Sequence, residues 1–235
     1  MQIGGIQKNS FIDFPSKISC VIFTLGCNFD CPYCHNPKLV KPPSNFPVLN
    51  TKEIFSFLAA RKEFYDGVVI SGGEPTLQKD LCDFCSQLKK MGYPVKIDTN
   101  GGNPHVIKRL ITAHLVDYIA MDIKTSPDRY SSVITRLIDP DAIRSSIRII
   151  ADSGIDYEFR TTCVKSIVDK DDIRIIAQLI KGNGPFILQK VQHNGIEVLH
   201  PEFFENHDWY YSDPAIENFR AIASDYVKQC IVRGE

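Results

Sequence analysis

Short apolar runs rich in β-branched residues alternate along this chain with stretches where apolar positions recur every three or four residues. The runs fall at 18–25, 67–71, 94–99, 116–123, 155–164 and 185–191, and each predicts a strand. Between them lie helical stripes with readable starts and stops. Asn50 stands three before Glu53 in the manner of a capping box, ahead of Ile54, Phe57 and Leu58 on one face. Leu81, Phe84, Cys85 and Leu88 form a second stripe stopped by Gly92, and Val106, Ile107, Leu110 and Ile111 a third. Asp139-Pro140 opens a fourth that carries Ile143, Ile147 and Ile150 and stops at Gly154. Ile173, Ile176 and Ile180 mark a fifth. Asp213-Pro214 begins a last helix with Ile216, Phe219, Ala223, Tyr226 and Val227. Six strand–helix units predict parallel βα repeats, as an open sheet or a partial barrel.

Composition narrows the class without naming an activity. The 235 residues are 43% hydrophobic and 23% charged with a formal charge of -1, ordinary values for a soluble globular protein. Mixed signs without a long charge run give no nucleic-acid-binding face. No signal-peptide pattern or membrane-length apolar run is present, so the expected location is cytoplasmic. In that reducing compartment the eight cysteines read as metal ligands or core thiols rather than disulfides. Pro42 and Pro43 mark a surface loop at 41–50 rather than a linker. One domain over 1–235 is expected, with a core at about 16–192 and a helical extension at about 193–235.

Polar chemistry gathers at the predicted strand ends. Cys27, Cys31 and Cys34, in GCNFDCPYCHNP, follow the first strand. Three soft thiolates so close together can reach one metal centre. They do not saturate a four-iron cube or a tetrahedral ion, so one position stays open unless a fourth ligand closes it. His35 is the candidate fourth ligand, which keeps a Cys3His zinc site as the rival. Gly72-Gly73-Glu74-Pro75 follows the second strand, where glycines permit close backbone approach and a carboxylate suits an ammonium group. Asp98-Thr99-Asn100-Gly101 ends the third, as a turn or as ligand contacts. Asp122 and Lys124 end the fourth on one face, as an ion pair or as a polar ligand end. Arg160 lies within the fifth strand and Gln189 near the end of the sixth. In parallel α/β folds the C-terminal strand ends carry the ligand site, so these positions converge on one rim. Cys82 and Cys85 have metal-like spacing but sit in a helical stripe and read as core thiols, as do Cys20, Cys163 and Cys230. His105, His114, His200 and His207 read as surface or satisfied histidines, and His193 is a lesser candidate beside the sixth strand.

These residues resemble the radical S-adenosylmethionine (SAM) enzymes. C-x3-C-x2-C is their signature, and CNFDCPYCHNP is similar to the branch that activates glycyl radical enzymes. GIQKNSFIDFPSK resembles the N-terminal segment of anaerobic ribonucleoside-triphosphate reductase activating proteins. The likeness continues through SGGEP, DTNG and MDIK, over most of residues 1–190. It implies an α/β fold, a partial (β/α)6 TIM-like barrel with a radical SAM core. It also implies a 4Fe-4S cluster on Cys27, Cys31 and Cys34 with SAM on the open iron, Tyr33 by the adenine, and His35 and Asn36 beside the cofactor. Gly72, Gly73 and Glu74 match the motif that receives the SAM amino group, and Asp122, Lys124 and Arg160 match its polar end. Asp98, with Thr99 and Asn100 following, falls near a monovalent cation that Asp122 also approaches. The implied reaction passes one electron from the cluster to SAM, and the resulting 5′-deoxyadenosyl radical takes hydrogen from a glycine of a partner protein. The implied partners are a glycyl radical enzyme, anaerobic ribonucleotide reductase, and a flavodoxin- or ferredoxin-type electron donor.

Three details qualify the likeness. Ser16 stands where that subgroup usually has glycine, LQKVQHNG fits the sixth strand loosely, and 36–66 holds no cysteine for auxiliary clusters. Two other functions remain open at this level. One is a radical SAM enzyme acting on a small molecule, like 7-carboxy-7-deazaguanine synthase, which the CHN sequence disfavours. The other is a non-catalytic zinc-binding module, which would leave Glu74, Asp122 and Lys124 without a common purpose.

Overall fold

The structure is a computed structural model that describes residues 1–135, 138–182, 184–192, 195, 197–206 and 208–234. His193 and His207 lie outside the described residues. The chain opens with β1 (Ile3–Ser10) and β2 (Ser19–Thr24), followed by α1 (Pro37–Val40), α2 (Thr51–Ala59) and β3 (Gly67–Gly72). Then come α3 (Leu81–Lys90), β4 (Val95–Thr99), α4 (Pro104–Thr112), β5 (Tyr118–Asp122), α5 (Tyr130–Val133) and α6 (Pro140–Ala151). The last third holds β6 (Asp156–Cys163), α7 (Lys170–Leu179), β7 (Pro185–Lys190), α8 (Pro201–Asn206), α9 (Asp213–Ser224) and β8 (Gln229–Arg233).

All six strands expected from the apolar runs are present as β2 to β7. They pair in sequence order within one eight-stranded sheet, β1 antiparallel to β2 and every later neighbour parallel. Parallel neighbours need long crossovers, and the helices supply them. β1 and β8 form the two edges of the sheet, which makes the barrel partial. Two strands were illegible. β1 carries Gly4, Gly5, Gln7, Lys8 and Asn9, poor strand formers, and breaks register twice against β2. β8 is short, and it places a strand inside the segment read as a helical extension.

Helix caps follow the sequence in part. Asn50 caps α2 by accepting from Lys52 N at 2.9 Å, without the reciprocal Glu53 contact of a capping box. The complete box is at α7, between Asp169 and Asp172. Ser16 has φ +60°, a left-handed conformation in which the missing glycine would be relaxed.

The strand pleat sorts side chains into two layers. Outward positions such as Ile22, Val68, Ile70, Val95, Ile97, Ile119, Phe159 and Leu188 join the helices in the main core. The inner face begins with a small apolar layer, where Phe14 packs against Val21 and Val69. The remaining inner positions are mostly polar or charged, and they build the site.

Candidate active site

The loop leaving β2 brings Cys27, Cys31 and Cys34 to the C-terminal rim, Cys31 buried and the other two half-buried. Backbone bonds pin it: Gly26 N donates to the Leu39 carbonyl at 2.7 Å and Cys34 N to that of Cys31 at 3.1 Å. From after β7, Leu199 N and His200 N donate to the Cys34 and Pro32 carbonyls at 3.0 and 3.1 Å. Phe29 packs edge-on against Tyr130, 5.7 Å between centroids, and the Tyr130 hydroxyl accepts from Lys124 N at 2.8 Å. The cysteine loop and the end of β5 are thereby held together. Burial pushes the Cys27 and Cys31 thiols up to about 11 and about 12, protons that metal coordination removes outright.

The zinc reading requires His35 to turn toward the thiols. Its Nε2 instead lies 2.8 Å from the Gln192 carbonyl. Among the described residues, no three His, Cys, Asp or Glu side chains are grouped to hold a single metal ion. A closed Cys3His site, with every donor about 2.0–2.3 Å from one ion, is not the arrangement found.

Gly72-Gly73-Glu74 locks this loop from the side of β3. Gly73 N donates to the Thr24 carbonyl at 2.9 Å and Glu74 N to that of Gly26 at 2.8 Å. A Cβ on Gly73 would lie 2.0 Å from the Gly26 oxygen. One on Gly72, whose φ is +114°, would lie 2.3 Å from Thr24 N. The glycines thus serve a backbone-to-backbone approach, beyond the approach to a ligand expected from sequence. Glu74 is 1% exposed. Its Oε1 accepts from Thr76 N at 3.0 Å, Thr76 Oγ1 at 2.5 Å and Thr99 Oγ1 at 2.7 Å, and Oε2 accepts from Asn100 N at 2.7 Å. Burial raises its pKa, against the pull of these donors. The Asn100 side chain reaches back to Asn28 Oδ1 at 2.9 Å and Cys27 Sγ at 3.8 Å. DTNG is therefore more than a turn: Thr99 and Asn100 tie β4 to Glu74 and to the cysteines.

Across the barrel the polar groups are ionic. Arg160 Nε donates to Asp122 Oδ1 at 2.7 Å, and Lys124 Nζ to Asp122 Oδ2 at 3.0 Å. Burial pushes the Asp122 carboxyl up, but Arg160 and Lys124 outweigh it and hold it well below the usual carboxylate range. Asp98 pairs with Lys96, and its other oxygen lies 3.5 Å from Arg160 Nη1 and 3.3 Å from Ser71 Oγ. Deeper in, Glu158 takes both Arg233 amino groups, at 3.1 and 2.8 Å.

Cysteine loop, neutral network and ionic network open onto one cavity of about 470 Å³. It is lined by all three cysteines, by Tyr33, His35 and Asn36, and by every other candidate from Gly72 to Arg160, with Gln189 as well. Tyr33 is buried and its hydroxyl has no hydrogen-bond partner, a group that waits for a ligand. A larger surface groove of about 790 Å³, beside the N-terminal end of β3, gathers no comparable chemistry.

The radical SAM superfamily model matches residues 21–179, more than half of the chain. Over 195 residues, 81% of this chain and 80% of the relative, it is 40% identical to a protein of Methanocaldococcus jannaschii provisionally named a glycyl-radical enzyme activating enzyme. The chain belongs to the radical SAM superfamily, among its glycyl-radical-enzyme activating enzymes. It is also 30% identical to the pyruvate formate-lyase-activating enzyme of Clostridium pasteurianum over 77% of this chain and 76% of that one. Streptococcus suis SuiB bound to S-adenosylmethionine shares the fold, with a TM-score of 0.67 at 15% identity. That alignment covers 91% of this chain, which spans half of the SuiB chain.

Members of this superfamily carry a 4Fe-4S cluster and SAM, and the activating enzyme's cavity suits both. Its lining offers three soft thiols, an orphaned aromatic hydroxyl and a cation-rich polar end. Several supporting residues gave no signal in the sequence. Thr76 and Tyr130 carry no motif of their own, Asn28 and Phe29 sit in the cysteine motif without a role assigned to them, and Lys96 sits among strand residues as an ordinary exposed lysine would. Cys85 is buried in the core, as expected. Cys82 is half-buried and takes the Arg109 Nε–H at 2.9 Å, outside the cavity.

Proposed function

We propose that this activating enzyme makes the glycyl radical of an anaerobic ribonucleoside-triphosphate reductase. Cys27, Cys31 and Cys34 hold the cluster, Tyr33, His35 and Asn36 border SAM, and Glu74 with the Gly72-Gly73 backbone takes its amino group. Asp122, Lys124 and Arg160 fix its carboxylate end with Asp98 behind them, while Thr99 and Asn100 hold Glu74. The observation that carries this is the shared cavity, with thiols at one end and half-buried ionic groups at the other. When bound, the cluster and SAM supply one-electron cleavage of a carbon–sulfur bond and a hydrogen-abstracting radical.

The chain's own residues do the positioning. Glu74, desolvated and held by four donors, keeps one lone-pair direction on Oε2 for an ammonium group. Lys124 and Arg160 share the Asp122 carboxylate and so present fixed positive charge toward a ligand carboxylate. The apolar layer of Phe14, Val21 and Val69 closes the cavity floor against water. For the reductase, support comes from the GIQKNSFIDFPSK segment, which forms β1 and its turn, and from a 36–66 region without cysteines for auxiliary clusters. A flavodoxin- or ferredoxin-type donor and a cytoplasmic setting fit this reading. No helix among the described residues is long and apolar enough to cross a membrane.

The test incubates the reduced, cluster-loaded protein and SAM with candidate glycyl radical polypeptides and records the glycyl EPR doublet. A doublet on a ribonucleotide reductase is expected. Signal on a lyase and none on any reductase would move the partner elsewhere in the branch.

A further inference from the structure

We propose that the Lys96 ammonium takes the place of a bound monovalent metal ion at Asp98, so that SAM binds here without dependence on sodium or potassium. This rests on the reading that the cavity binds SAM with its carboxylate toward Lys124 and Arg160.

Lys96 projects from the inner face of β4, two residues before Asp98, and its side chain is 1% exposed. A lysine so buried is rare unless paired. Its Nζ contacts Asp98 Oδ1 and lies 5.8 Å from the centre of the Tyr118 ring. A metal ion on that oxygen would meet the Lys96 ammonium, and the two like charges repel. The second oxygen already faces Ser71 Oγ at 3.3 Å and Arg160 Nη1 at 3.5 Å. The Asp122 oxygens each face a cation, Arg160 Nε at 2.7 Å and Lys124 Nζ at 3.0 Å, so a metal ion there would meet two like charges.

Charge counting gives the same answer. The network holds three carboxylates, Asp98, Asp122 and Glu158, against four cations, Lys96, Lys124, Arg160 and Arg233. One positive charge is left over, which a single ligand carboxylate neutralises. A metal ion would add a further positive charge beside Asp98 after the ligand had bound. Two further carboxylates line the cavity outside this network. Glu74 is matched by the ligand's own ammonium group, and Asp13, half-buried in the turn after β1, accepts from Ser10 Oγ at 2.5 Å and is screened by solvent. Lys96 is thus a positioning residue. It neutralises Asp98, and Asp98 in turn leaves Arg160 free to balance Asp122 and the ligand.

The experiment measures equilibrium SAM binding to the unreduced, cluster-loaded protein in choline, sodium and potassium chloride at matched ionic strength. The wild-type affinity should agree within about twofold across the three salts. Lys96→Met should bind SAM about tenfold more weakly in choline, the size of a typical coupling between two sites, and potassium should restore affinity by entering the vacated position. Iron content and circular dichroism report whether that variant is intact. If it is not, the wild-type comparison decides alone. Loss of wild-type affinity in choline overturns the proposal, as does an intact Lys96→Met protein that binds SAM as tightly as wild type in choline. Absence of SAM binding in every salt would instead refute the functional reading beneath it.

Discussion

The two walls of this cavity are built from different physics. On the β2–β3–β4 side, Glu74 is held by hydroxyls and backbone N–H groups, and the cysteine loop by backbone bonds. On the β4–β5–β6 side, Asp98, Asp122 and Glu158 are held almost entirely by lysine and arginine. Neutral donors fix position within tenths of an ångström but neutralise little charge. Ion pairs neutralise charge, yet depend on every partner being present. A wall that must hold a cluster in register is thus built from the first material. One that must receive a charged ligand is built from the second.

Four changes test that contrast, from the largest effect to the smallest. Cys31→Ser removes a thiol from the register-keeping wall and should abolish iron loading and SAM cleavage, read by iron analysis and 5′-deoxyadenosine release. Asp122→Asn leaves Arg160 and Lys124 without their shared carboxylate, and losing two charge-assisted bonds of about 1.5–3 kcal/mol each should cost upward of about 3 kcal/mol in denaturant unfolding. Glu74→Gln keeps the shape but sets an amide N–H against donors. A mismatch among neutral groups should cost about 1–3 kcal/mol in the same measurement. Equal losses in those two variants would erase the distinction between the walls. Cys82→Ser, outside both walls, should change neither iron content nor turnover, and cluster loss there would reveal a thiol role that the cavity does not show.

The same two carboxylates should also answer to pH with opposite signs. Asp122 is depressed in the folded state, so its contribution is complete above the unfolded value of about 3.9 and is lost as pH falls through the lower folded value. Glu74 is raised, so its folded protein is favoured below the unfolded value of about 4.3 and loses that advantage as pH rises through the higher folded value. Stability measured against pH for wild type and both variants should therefore diverge in opposite directions. Parallel curves would show that burial and pairing do not separate the two groups.

What the sequence disclosed follows this division. Strands β2 to β7 announce themselves because their outward face is apolar against the helices and the inner face of β2 and β3 adds Val21 and Val69. The site residues announce themselves by standing at the ends of those strands. Lys96 stayed hidden because a lysine within a strand reads as a solvent-facing position, and only the curl of the partial barrel turns that face inward. β8 stayed hidden because five residues between a helix and the chain end carry little periodicity, although Arg233 on it completes the ionic network. Asn28, Phe29 and Tyr130 work through contacts between distant segments, which no local pattern encodes. Two sequence expectations were refined by contacts: His35 is turned to Gln192, and the paired glycines accommodate Gly26.

The contacts of Pro32 and Cys34 with His200 and Leu199, and of His35 with Gln192, bear on how the protein is assembled in time. Translation releases the three cysteines early, when most of the barrel has not been made. The segment that closes over their loop follows more than 150 residues later in the numbering. A nascent chain therefore displays its thiols before it has the means to shelter them. Iron–sulfur delivery is thus matched to a chain already made past His200, whose backbone bonds pin the loop that carries the thiols.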